Sequence, residues 1–204
     1  MIIYLHGFRS GPQSWKSRSL KARMDALGLG DEFWCEQLPV SAFEAIALAD
    51  AQIARCSTAP TLVGSSLGGF YASCLAERHG LKAVLVNPAV LAPLSLSSYI
   101  GTQTHMYSDE PFEFTAAHID EIRAIEPSSI THPERYWLMV ETGDEVLDYH
   151  QAVERYAGAR QTVLEGGDHS FTRWDDYLDP ILHFAGLLKS TQPEGSRAVR
   201  GAPQ

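Results

Sequence analysis

Residues 64–68 read Gly-Ser-Ser-Leu-Gly, a serine with a glycine two positions away on each side, set between an apolar β-rich run and a stretch of helical periodicity. Small residues packed so densely suit a phosphate cradle, a close packing joint, or a sharp turn that presents a reactive hydroxyl. A P-loop needs GxxxxGK followed by Ser or Thr. Gly64 and Gly69 have that separation, but Phe70 and Tyr71 stand where the lysine and hydroxyl belong, and GxGxxG is absent. What remains is GxSxG, the pattern of a strained strand-to-helix turn that lifts the serine hydroxyl off the end of its strand. Its flanking positions must be small because backbone passes close by. On this reading Ser66 is a nucleophile; the alternative is that Ser65 and Ser66 only cap the following helix.

A serine hydroxyl is a weak nucleophile at neutral pH, so the reading demands a histidine base and an orienting carboxylate, in the chain order serine, acid, histidine. "VETGDEVLD" places Asp144 just beyond one expected strand, and "LEGGDHSF" places His169 just beyond the next. Asp144 is nearest the strand end and is the favoured acid. Asp148 is second, because it is also placed to cap a helix, and Glu145 lies in the same loop. Either residue also has an ordinary reading, the acid as a helix cap and the histidine as a solvated loop group.

Acyl transfer further requires donors aimed at the developing oxyanion. The backbone N–H groups of Leu67, after the nucleophile, and of Phe8, in the loop after the first strand, are the candidates. In that loop, "YLHGF", Gly7 allows close approach and His6 is expected to fix the loop's shape. A metal site built from His6, Asp144 and His169 would lack any HxH or HExxH pair, so neither a metal nor a cofactor is expected.

These loops need a scaffold, and the pattern supplies one. Short β-rich runs begin at Ile2, Phe33, Thr61, Ala83, Tyr136 and Gln161, and helical segments separate them. Six strands alternating with helices imply an α/β fold with a mostly parallel sheet covered on both faces. Leu67, Phe70, Tyr71, Cys74 and Leu75 recur at helical spacing. Ser41 with Glu44 reads as a capping box, Asp148 as an N-cap, and Gly28 as a helix stop. The final helical pattern, Phe171 to Leu188, should break at Asp179, with Pro180 opening a second piece. Residues 91–129 interrupt the alternation, with one short helix around Ile119 and Ile122, and are expected to form a lid. Tyr99, Met106, Tyr107, Phe112 and Phe114 there are either acyl-pocket walls or packing that ties the lid to the core. Residues 1–189 thus read as a single domain, and the apolar-poor tail 190–204 as disordered.

The chain has 204 residues, 45% of them hydrophobic, and a formal net charge of −9. An acidic chain without a Lys/Arg cluster argues against nucleic acid or an anionic membrane as partner. Neither a leader nor a span-length apolar run is present, so a cytoplasmic protein is expected. Cys35, Cys56 and Cys74 show no CxxC spacing and read as buried thiols.

Taken together, "YLHGF", "GSSLGG", "VNPAV", "TGDEVLDY" and "EGGDHSF" resemble the YqiA/YcfP-type small bacterial esterases of the α/β-hydrolase superfamily, from about Ile3 to Leu188. The resemblance implies a reduced α/β-hydrolase fold and carboxylic-ester hydrolysis, with Ser66, Asp144 and His169 as the triad and a small-molecule ester or thioester as substrate. An acyl-CoA thioesterase, a small-amide hydrolase, or a non-catalytic binding module on the same scaffold are the alternatives. Arg9 departs from the pattern, since small polar residues usually follow HGF; a cation there suits an anionic substrate or simply faces water. No oligomeric state is assigned.

Overall fold

The computed structural model describes residues 1–189; the tail expected to be disordered lies outside the described residues. Six strands, β1 (Ile2–Leu5), β2 (Phe33–Trp34), β3 (Thr61–Ser65), β4 (Lys82–Val86), β7 (Tyr136–Glu141) and β8 (Arg160–Leu164), form one sheet in the order β2-β1-β3-β4-β7-β8. All its pairings are parallel. The helices α1 (Trp15–Ala26), α2 (Ala42–Arg55), α3 (Leu67–His79), α6 (Tyr149–Arg155) and α7 (Leu178–Phe184) connect or follow these strands.

Strand periodicity assigns each side chain to a face. Ile3, Leu5, Leu138 and Val140 pack with residues of α2, α3 and α6, whereas Ile2, Tyr4, Trp137 and Met139 pack with residues of α1 and α7. The central strands β3 and β4 are buried almost throughout, as a sheet covered on both faces requires. Helix α3 goes beyond its amphipathic pattern, since every residue from Leu67 to Ala76 is buried.

Several local expectations change in detail. The run from Phe33 yields only a two-residue strand, because β2 is an edge that pairs with β1 alone at Ile2↔Phe33 and Ile3↔Trp34. Ser41 caps α2 by accepting the Glu44 N–H and its hydroxyl donates to Glu121, but the Glu44 side chain makes no return bond to the Ser41 N–H, so the box is not completed. Asp148 caps α6 and Gly28, at φ +71°, follows the end of α1. The last helical pattern breaks at Leu178, after a 3-10 turn at Trp174–Tyr177, so Pro180 is the third residue of α7. That position still lies in the first turn, where a missing N–H removes no intrahelical bond. Cys74 is buried, but Cys35 and Cys56 are only half-buried, and all three are free thiols.

Residues 91–129 are more structured than a loop. They contain α4 (Ala92–Ser95), an antiparallel hairpin of β5 (Gly101–Thr104) and β6 (Pro111–Phe114), and α5 (Ala116–Ile125). Ile119 and Ile122 are buried where α5 meets the core. The hairpin, which the sequence pattern did not anticipate, is a separate sheet.

Candidate active site

The turn between β3 and α3 places Ser66 at φ +56° and ψ −121°, a conformation unfavourable for any residue with a Cβ. Packing holds it there. A Cβ at Gly64 would lie 2.1 Å from the Gly68 carbonyl oxygen, and one at Gly68 would lie 2.0 Å from that of Leu5, so α3 can sit this close to β1 and β3 only with glycine at both sites. The Ser66 side chain does not cap α3, which removes the alternative reading of this serine.

His169 Nε2 lies 3.0 Å from Ser66 Oγ, and His169 Nδ1 lies 2.8 Å from Asp144 Oδ2. Asp144 is 2% exposed at its side chain, and its other oxygen accepts the N–H groups of Val146 and Leu147 at 2.9 and 2.8 Å. Three loops, following β3, β7 and β8, thus bring an alcohol, an imidazole and a buried carboxylate into one hydrogen-bonded series. Asp148 is not part of it: its carboxylate is spent on the α6 N-terminus and on His150. Glu145 instead accepts the His169 backbone N–H at 3.0 Å, and Asp168 accepts the N–H and hydroxyl of Ser170.

Two further residues, neither singled out from the sequence, fix the histidine loop. Glu141 ends β7 fully buried, and its carboxylate accepts the N–H groups of Asp168 (3.0 Å), Thr172 (2.9 Å) and Arg173 (3.3 Å), together with the Thr172 hydroxyl. Asn87 follows β4 at φ +40°; its amide donates to the carbonyls of Asp168 and His169, both at 3.1 Å. Its oxygen accepts the Glu141 N–H at 3.1 Å. The only sequence signal for either was a polar residue at a strand end, inside "VNPAV" and "VETGD".

On the other side of the serine, His6 shapes the loop after β1. Its Nε2 accepts the Leu38 N–H at 2.9 Å and its Nδ1 bonds the Gly7 carbonyl at 2.9 Å, which assigns the proton to Nδ1. Burial draws the imidazole down to about 4, so the ring is neutral. A Cβ on Gly7 would lie 3.2 Å from the Ser66 Cβ, so this loop runs directly against the serine. The Phe8 N–H has no hydrogen-bond acceptor among the described residues. Leu67 opens α3, where an N–H has no intrahelical acceptor. Both candidate donors therefore remain free. Among the described residues no three His, Cys, Asp or Glu side chains form a group suited to a metal.

A cleft of about 530 Å³ opens over Ser66 and His169, within the size range of small-molecule sites. Its apolar lining includes Phe8, Trp15, Leu96, Tyr99, Met106, Tyr107, Val146 and Leu147. The lid aromatics divide between the two roles foreseen for them. Phe112 meets Phe8 edge-on and Phe114 meets it at a steep tilt, with centroids at 5.9 and 4.8 Å, and the two tie the hairpin to the loop after β1. Met106 and Tyr107 line the cleft with more than half their surface in solvent, while Tyr99 does both, lining the cleft and meeting Phe8 edge-on at 5.5 Å.

Solved structures of similar fold include proteins described as a lipase and an esterase. The model of the uncharacterised protein family UPF0227 matches residues 1–186. The monoacylglycerol lipase of Paleococcus ferrophilus is 15% identical, with a TM-score of 0.64 over 90% of this chain and 93% of its own. Mouse alpha/beta hydrolase domain-containing protein 10 is 17% identical, with a TM-score of 0.64 over 92% of this chain and 90% of its own. An esterase domain from a Rhodothermus marinus protein is 15% identical, with a TM-score of 0.59 over 91% of this chain and 85% of its own. The fold is that of the α/β hydrolases. Among the described residues no helix is long and apolar enough to cross a membrane.

Proposed function

Since this chain belongs to the uncharacterised protein family UPF0227, we propose that it is a serine hydrolase of carboxylic esters, with Ser66 as nucleophile, His169 as general base and acid, and Asp144 as the orienting carboxylate. One observation carries this reading: the unbroken series Ser66 Oγ, His169 Nε2, His169 Nδ1 and Asp144 Oδ2, at 3.0 and 2.8 Å.

In the first half-reaction Ser66 Oγ attacks the ester carbonyl carbon while His169 Nε2 takes its proton. The carbonyl oxygen becomes an oxyanion, held by the N–H groups of Phe8 and Leu67. The carbon–oxygen bond to the alcohol then breaks, and the alcohol leaves with the proton from His169. Water repeats the sequence on the acyl-Ser66 intermediate and releases the carboxylic acid. Asp144 keeps the imidazole in the tautomer with its proton on Nδ1 and balances the imidazolium. A thioester would follow the same steps with a thiol as leaving group.

Steady-state hydrolysis of a short-chain 4-nitrophenyl ester by purified protein tests the reading. Ser66→Ala should lower kcat by about a millionfold, and undiminished turnover by that variant would reject it.

A further inference from the structure

The cleft carries charge that the chemistry of an ester does not require. The segment just after the candidate oxyanion loop lends it two cations, Arg9 and Lys16, in a chain whose overall charge is −9. Two carboxylates beside the triad, Glu145 and Asp168, also line it, but both accept backbone N–H groups of residues 169 and 170. The cations are only partly spent. Arg9 uses its Nε on the Thr104 carbonyl at 2.9 Å, and among the described residues neither Nη atom has an acceptor and no carboxylate comes within ion-pair distance. Lys16 uses one of its three donors on the Ser170 carbonyl at 2.6 Å and has no carboxylate within ion-pair distance among the described residues. Burial lowers its pKa to about 8, and the charges of Asp168, Glu141 and Asp144 work against that fall.

Arg9 is also placed at a cost. It holds φ +60°, a region in which a non-glycine residue is uncommon. Its carbonyl accepts the Met106 N–H at 2.8 Å, so both its backbone and its side chain are fastened to the hairpin that borders the cleft. A cation that merely faced water would need neither tether. The Nη edge left over is a planar two-donor fork, the geometry that matches a carboxylate or a phosphate.

Resting on the hydrolase reading of the same site, we infer that the cleft selects esters bearing a second, oxyanionic group, and that Arg9 and Lys16 are the residues that bind it. The group is a carboxylate or a phosphate carried on the acyl or the alcohol side.

Two matched substrate pairs separate these sources: 4-nitrophenyl hemiglutarate against 4-nitrophenyl valerate, and the butyryl monoester of glycerol 3-phosphate against monobutyrin. In at least one pair the charged member should show a kcat/KM about tenfold higher or more, expressed mainly in KM and shrinking as salt is raised. Arg9→Met and Lys16→Met should each bring that ratio towards one, and Arg9→Lys should retain part of it. The ratio is taken within each variant, so partial loss of folded protein cancels. Equal cleavage of charged and neutral members by the wild type, or ratios unmoved in both methionine variants, would overturn the inference and leave the hydrolase reading intact. Failure to cleave any of the four esters, with no labelling of Ser66 by a fluorophosphonate, would overturn both.

Discussion

Asn87 and Glu141 lock the strand ends of β4 and β7 to the loop that carries His169: the Asn87 oxygen accepts the Glu141 N–H at 3.1 Å, while both side chains reach on to backbone groups of residues 168–173. The imidazole is thus held from two directions, by Asp144 at its ring and by this buried pair at its backbone. Removing either residue strands polar groups in the interior. Glu141→Ala should cost about 3 kcal/mol or more in urea denaturation, as the breaking of a buried charged network does. It should also lower kcat by about tenfold or more with KM little changed, because a misplaced base slows chemistry rather than binding. A variant that folds as stably and turns over as fast as the wild type would show that the pair is dispensable.

Gly68 is the point at which α3 crosses the end of β1. Its missing side chain leaves room for the Leu5 carbonyl oxygen, which a Cβ would approach to 2.0 Å. Gly68→Ala must push the helix away from the sheet and with it the turn that carries Ser66. Loss of soluble folded protein, or a melting temperature lower by about 10 °C or more, is the expected result. A folded and fully active alanine variant would contradict the packing described here.

Acid should weaken the fold through His6. In the folded state its pKa lies near 4, drawn down by burial, against an ordinary value of about 6.5 in the unfolded chain. The unfolded state therefore binds the extra proton first. Stability contributed by the neutral ring is fully present above about pH 6.5, falls as pH drops, and stops falling below about pH 4, a total of about 3 kcal/mol. Protonation of Nε2 would also cancel its bond to the Leu38 N–H. Urea denaturation between pH 7 and pH 4 should show this slope in the wild type and a flatter one in His6→Gln; parallel slopes would assign the acid sensitivity elsewhere.

Much of this site could be read from the chain because its chemistry is local in sequence. The serine turn needs Gly64 and Gly68 around Ser66, and Asp144 and His169 each follow a strand, so strand ends in a parallel sheet predict which loops meet. The clamp could not be read in that way. Glu141 is simply the last residue of β7, and only the return of the chain after β8 buries its carboxylate. Residues 101–114 escaped for a related reason: β5 alternates half-buried and exposed positions and pairs only with β6, so it carries no apolar run of its own. The shortness of β2 likewise follows from its place at the edge, where only the first two residues of its run find a partner.

Covalent labelling of purified protein with a fluorophosphonate, located by peptide mass spectrometry, asks most directly whether the Ser66 hydroxyl is activated by His169. A single adduct on Ser66, absent in Ser66→Ala and formed at least about a thousandfold more slowly in His169→Ala, is the expected result. An unlabelled Ser66, or one labelled equally fast without His169, would contradict it.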